Sequence, residues 1–314
     1  MNGFRMALPL GRSFMLLAVL SLMAWAQVPQ AFVSARTGVD GGACGVFAPC
    51  RTITHALTQV ASGGQIVLTD SGDYDQVAIN KSAAIMAVPG VTPSISVAQT
   101  NGVLLSVAAH SGIINITLSG LALNGQGVTQ DGIRGADVNL IVENCTFDNF
   151  AGQAIFINGA ATLQLVNSRV RHSAKGIFIL PVGASKTVTV TVNECQFEHL
   201  TARGLEFNTN GINTIRAVVR DSALNGNVGG EGMLVSSISG GTAQVTLDGV
   251  QVTKFLTGLS VVSSGSVIRV TRSAITRNTT GLAAAASGAL LSRGNNTVEG
   301  NITNGNFTGT FIAK

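Results

Sequence analysis

The stretch ENCTFDNFAGQAIFI at 143–157 returns as VNSRVRHSAKGIFI at 166–179 and as NECQFEHLTARGLEF at 193–207. Each copy carries two marks. The first is a short alternating segment: Cys145-Thr146-Phe147, Ser168-Arg169-Val170, Cys195-Gln196-Phe197. The second is a Gly-apolar step: Ala154-Ile155, Gly176-Ile177, Gly204-Leu205. Working outward, the first mark also appears at 121–123, 222–224, 250–252 and 273–275, and the second at 132–133, 232–233, 258–259 and 281–282. The period is about 22–28 residues. A unit this short cannot bury its own apolar face, so the units must stack. Alternation at a period of two marks strands. The expected fold is all-β, a single-stranded right-handed parallel β-helix of about ten coils.

Composition agrees. Glycine is abundant (38 residues), proline scarce (6), and charged residues make up 11%, against roughly 25% in ordinary globular domains. The first 26 residues read as a secretory signal, with a basic start at Arg5 and Arg12, an apolar run Phe14–Trp25, and a small-x-small site at Ala24-Trp25-Ala26. That run is shorter than the ~20 residues of a spanning helix. Cleavage leaves residues 27–314 as one β-helix domain with no membrane span. Without Arg5 and Arg12 the chain holds 17 basic and 15 acidic residues, too even a balance for a nucleic-acid partner. Export predicts a periplasmic or extracellular protein. It also predicts a local disulfide between Cys44 and Cys50. Cys145 and Cys195 fall two repeats apart, ~9.6 Å at the usual strand spacing, which is beyond disulfide reach. They read as buried free thiols.

Residues 51–61 place Ile53, Ala56, Leu57 and Val60 on one helical face, with Gly63-Gly64 as the stop. An open solenoid end needs a cover, so this segment is the expected N-terminal capping helix. His55 falls on its polar side. A last strand without a helical cap is expected near 305–314.

The segment GGQIVLTDSGDYDQVAINKSAAIMA at 63–87 resembles the opening of the pectin-lyase-like right-handed parallel β-helices. The preceding S-A-R-T-G-V-D…C…P-C-R-T-I is similar to a group of uncharacterised exported bacterial β-helix repeat proteins. The resemblance implies the fold and carries no activity by itself. Motifs of catalytic members of that superfamily are missing. Asn208-Thr209-Asn210 lacks the acid of a polygalacturonase Asn-Thr-Asp, and the single tryptophan lies in the signal.

Equivalent positions of stacked coils form axial columns, so aligned repeats predict spatial neighbours. One outward column reads Thr146, Arg169, Gln196, Ala223, Gln251; the next reads Asp148, Arg171, Glu198, Asn225, Thr253. Arg171 is expected to serve the carboxylates on both sides. This is a plain ion ladder or, with Arg169, a cleft for an acidic or hydroxylated sugar. His172 and His199 share a turn column. In the other turn column, Glu194 and Asp221 sit side by side, as paired carboxylates do in retaining glycosidases, though Arg220 and Arg272 neighbour them. The outward position after each Gly-apolar step gives Arg134, Phe156, Phe178 and Glu206. The two phenylalanines are expected to form a flat sugar platform unless the loop at 180–186 folds over them.

The function expected is an exported, non-catalytic β-helix that binds a polysaccharide or cell-surface partner through its ladder face. Binding falls to Arg169, Arg171, Phe156, Phe178 and Glu206. The alternative is a polysaccharide lyase or glycoside hydrolase on acidic polysaccharide, with Asp148, Arg171, Glu198, His172, Glu194 and Asp221 as the catalytic candidates. A structural or adhesive scaffold is the third possibility. No cofactor and no metal is called for.

Overall fold

The computed structural model describes residues 27–312 apart from 97, 99, 101, 108–110 and 228. The expected signal segment, 1–26, lies outside the described residues. The chain winds through three parallel sheets of twelve, ten and nine strands, called here the first, second and third. Successive strands of each sheet come from successive coils. The shortest sheet stacks nine strands, so the solenoid rises through about eight turns rather than ten. Coils lengthen where loops are inserted: Thr214 pairs with Thr242, whereas Val138 pairs with Ala161. The chain's last pairing is a two-residue strand, Gly309–Thr310.

Alternation sets the inside. Leu123, Phe147, Val170, Phe197, Leu224, Val252 and Ile275 are register partners coil after coil in the second sheet. Ile133, Ile155, Ile177, Leu205, Met233, Leu259 and Leu282 do the same in the third. Both columns are buried, and each such side chain contributes about 1.5–3 kcal/mol. The glycine of the second mark has a steric origin. A Cβ on Gly176 would lie 2.5 Å from the Gly204 carbonyl oxygen, one on Gly204 2.3 Å from that of Gly232, and one on Gly232 2.6 Å from that of Gly258.

From Thr146–Asp148 to Ala274–Thr276, the short strands of the second sheet are bounded by one-residue corners, two per strand except at Ala223–Gly226, which has only the first. The first corner is left-handed at Asn144, Asn167, Glu194, Asp221, Gly249 and Arg272; the second at Asn149, His172, His199, Lys254 and Arg277. Asparagine and glycine take such φ values readily, whereas the other residues here do so at a cost of order 1–3 kcal/mol. Most corners are held by a backbone bond to the next coil, as in Glu194 N–H to the Arg220 carbonyl at 3.2 Å and His172 N–H to that of Glu198 at 3.2 Å, while the Arg272 N–H donates to the Asn295 side-chain oxygen. Inside the first corner, Ser168 and Ser222 hydroxyls accept from the Cys145 and Cys195 N–H groups. Cys145 and Cys195 are buried free thiols, and burial pushes both up to about 11.

The cap is a helix at Ile53–Gln59 with Thr52 as its N-cap. It is shorter than 51–61, because Val60 already turns extended and begins the strand Val60–Leu68, which absorbs the glycine pair. Strand Val28–Val33 pairs with it as the first rung. Cys44 and Cys50 form a disulfide. Asp70 locks the cap to the first coil, accepting from the Ser34 and Tyr74 hydroxyls and from the Ala35, Arg36 and Gly72 N–H groups. Burial alone would raise this carboxyl, but those bonds hold it below its usual range.

Candidate functional site

The second sheet brings Asp148, Arg171 and Glu198 into one outward register column, as the repeats require. The ion pairing departs from expectation. Arg171 binds Asp148 at 3.0 Å, but Glu198 is taken by Arg169 through two hydrogen bonds of 2.9 Å. Arg169 projects from the first outward position and reaches diagonally across one coil, so Arg171 does not bridge both acids. The Arg169 bonds hold Glu198 below its usual range. These pairs are partly exposed, and each is worth roughly 0–1 kcal/mol. At the second corner, His172 Nδ1 lies 3.0 Å from Asp148 Oδ1, and the His172 and His199 rings stack at 5.2 Å.

On the third sheet, Arg134, Phe156, Phe178 and Glu206 share the expected outward column. The flat platform is not formed. The phenyl rings stand 5.1 Å apart at an interplanar angle of 14°. Two rings cannot lie edge to edge in one plane at that spacing, so they stack face on face along the axis. The Arg134 guanidinium covers the outer face of Phe156 at 5.4 Å, and Lys175 Nζ lies 4.1 Å from the Phe178 ring centre. The column therefore offers ring edges to solvent, while cations close its faces. The loop at 180–186 is tied elsewhere: Asn213 Nδ2 donates to the Pro181 and Gly183 carbonyls at 3.0 Å.

Glu206 points outward by register yet is only 4% exposed. It receives Lys175 at 2.7 Å, Arg203 at 3.2 Å and the Asn208 amide at 2.7 Å. Arg203 also binds Glu231 at 2.8 Å. Asp131 is buried beneath Arg134 and Gln153. Burial pushes its carboxyl up, against the pull of Arg134. Sequence reading missed Asp131, Gln153, Lys175, Arg203 and Glu231. They form one register column, and its signal was available: each immediately precedes the Gly or Ala of the second mark.

The first corner supplies a groove. A depression of about 270 Å³ is lined by Asn144, Thr146, Asn167, Arg169, Glu194 and Gln196. Another of about 430 Å³ is lined by Glu194, Gln196, Asp221, Ala223, Gly249 and Gln251. They share Glu194 and Gln196, so the two adjoin and follow one another along the solenoid axis. Glu194 accepts from the Asn193 amide at 3.1 Å. Neither Glu194 nor Asp221 forms an ion pair among the described residues; Arg272 binds Asp248 at 2.7 Å and feels Asp221 at longer range.

At the cap, the ligand atoms of Cys44, Cys50 and His55 lie within 4.8 Å of one another. The disulfide consumes both thiols, so these residues do not fit a metal. His55 Nε2 instead lies 3.2 Å from the Gly42 carbonyl oxygen. Among the described residues no helix is long and apolar enough to cross a membrane.

The winding and the outward ladders define a right-handed parallel β-helix of the pectin-lyase-like kind. The chain belongs to the right-handed beta helix region family, whose model matches residues 93–252. Among solved structures it is similar to pectate lyase Pel9A, with 12% identity, a TM-score of 0.58, and 92% of this chain and 80% of that one covered. It is also similar to a rhamnogalacturonan lyase, with 14% identity, a TM-score of 0.51, and 85% and 76% covered. At such identities the likeness is one of fold. A sequence search of curated proteins finds no match.

Proposed function

We propose that this protein is exported and binds a polysaccharide along its axial columns without cleaving it. The observation that carries the proposal is the first-corner groove, an open channel lined by amides, hydroxyls and carboxylates. Such groups recognise sugar hydroxyls. The neighbouring ladders support a non-catalytic role. Asp148, Glu198, Glu206 and Glu231 are each engaged by at least one arginine or lysine, and the Glu198 carboxyl, held below its usual range, is a poor proton donor. The Cys44–Cys50 disulfide fits an oxidising compartment. The fold neighbours named above are polysaccharide lyases, which agrees with a carbohydrate partner.

Calorimetric titration of residues 27–314 with a polysaccharide panel tests the role. Saturable binding without new reducing ends or unsaturated products is expected, and a Gln196→Ala/Gln251→Ala variant should bind at least tenfold more weakly. Binding by no member of the panel would refute it.

A second proposal rests on the Asp148–His172 contact. An imidazole whose Nδ1 is fixed by a carboxylate leaves Nε2 free as a base, and Arg171 stands beside the same carboxylate. That is a start for removing the proton α to a uronate carboxylate. Unsaturated product from a uronan, abolished in His172→Ala, would favour a lyase over a binding protein.

A further inference from the structure

The groove's charge points to its ligand class. We infer that it selects an uncharged glycan strand and turns uronates away; this rests on the polysaccharide-binding proposal and names the ligand. The geometry sets the orientation. Five corner residues, Asn144, Asn167, Glu194, Asp221 and Gly249, mark one wall, and Thr146, Arg169, Gln196, Ala223 and Gln251 mark the other. Side chains of adjacent coils repeat at about 5 Å, as the His172–His199 and Phe156–Phe178 spacings of 5.2 and 5.1 Å show. A pyranose ring with its glycosidic oxygen advances a chain by nearly the same step. An extended glycan lying along the axis therefore meets an equivalent pair of wall residues at each coil.

Electrostatics then discriminate. Glu194 and Asp221 occupy adjacent coils of one wall, and neither is neutralised by an ion pair among the described residues. The groove's cation, Arg169, spends its Nε and Nη2 donors on Glu198. Beyond the far rim, Arg272 is bound to Asp248, whose field Arg220 also faces. A uronate carboxylate would enter beside two like charges, while the guanidinium inside the groove, Arg169, is already held by Glu198. Hydroxyls meet no such penalty, since Asn144, Asn167, Gln196 and Gln251 both donate and accept. At 12% and 14% identity the lyase neighbours show the fold alone, so the choice of ligand rests on this chain's own residues.

The test is titration of residues 27–314 at low salt with neutral cello-, xylo- and manno-oligosaccharides of two to six residues, oligogalacturonates of the same lengths, and chitosan oligomers. A neutral series should bind at least tenfold tighter than the oligogalacturonates, with affinity rising to about the five-residue length that matches the five coils. Glu194→Gln with Asp221→Asn keeps the hydrogen-bonding shape and removes the charge. It should raise oligogalacturonate affinity at least tenfold, and by a larger factor than it changes neutral affinity. Wild-type preference for oligogalacturonate or chitosan would overturn the selectivity while leaving polysaccharide binding intact. A double variant with unchanged uronate affinity would overturn its electrostatic cause. If no oligomer and no panel polysaccharide binds, the polysaccharide role itself falls, and this selectivity with it.

Discussion

Phe197→Asp should unfold the middle of the solenoid, while Gln196→Lys, one residue away, should leave it standing. Phe197 is fully buried and stacks between Val170 and Leu224 on the neighbouring coils. Its loss removes a large side chain from a close-packed column, a change worth about 3–5 kcal/mol for truncation alone. An aspartate in its place must also shed its hydration with no cation inside to receive it. Gln196 is exposed on the outer face, where substitutions usually stay within about 0.5 kcal/mol. Urea unfolding followed by circular dichroism should show Phe197→Asp without a native baseline and Gln196→Lys with the wild-type midpoint. Equal midpoints for the two would mean that the inside and outside of this strand had been exchanged.

Gly204→Val should be nearly as damaging, for a different reason. The Cβ alone would sit 2.3 Å from the Gly232 carbonyl oxygen and 3.4 Å from Leu224. Backbone on the next coil cannot rotate aside as a side chain can, so the coils must part there. Overpacking of this kind costs about 1–3 kcal/mol and sometimes more, and here it also breaks lateral hydrogen bonds. Ala154 occupies the equivalent place in an earlier coil, so Ala154→Gly is the matched control and should move stability by less than about 1 kcal/mol. Thermal unfolding of the pair decides the matter. An unshifted Gly204→Val would show that the second mark is not a steric requirement.

The interior was legible in the sequence because burial imposes a strict two-residue alternation, and the repeat supplied the register. Thr146 against Arg169 and Phe156 against Phe178 could be placed side by side before any coordinate. Outward chemistry was less legible, since long flexible side chains choose partners diagonally. Arg169 reaches Glu198 across a coil, which column alignment alone does not specify. Ring orientation was equally hidden: a pair of outward phenylalanines on adjacent coils reads as a platform, but the inter-coil spacing forces face-on stacking and Arg134 and Lys175 close the faces. The column from Asp131 to Glu231 was less legible because the glycine or alanine that follows each member interrupts the alternation of inward apolar and outward polar side chains. The coil count was overestimated because the inserted loops lengthen several coils and the final segment contributes only a two-residue strand.

The ladders and the groove exist only if neighbouring repeats stack in this register. Gln251 and Ala274 are register partners on adjacent coils, and Thr297 is the partner of Ala274 on the coil after. Adjacent parallel strands lie ~4.8 Å apart, inside the range a disulfide spans, whereas two coils exceed it. Mild oxidation of Gln251→Cys/Ala274→Cys should therefore give an intramolecular disulfide, and Gln251→Cys/Thr297→Cys should remain reduced. Bonding in the second variant, with free thiols in the first, would contradict the register and the surface columns built on it.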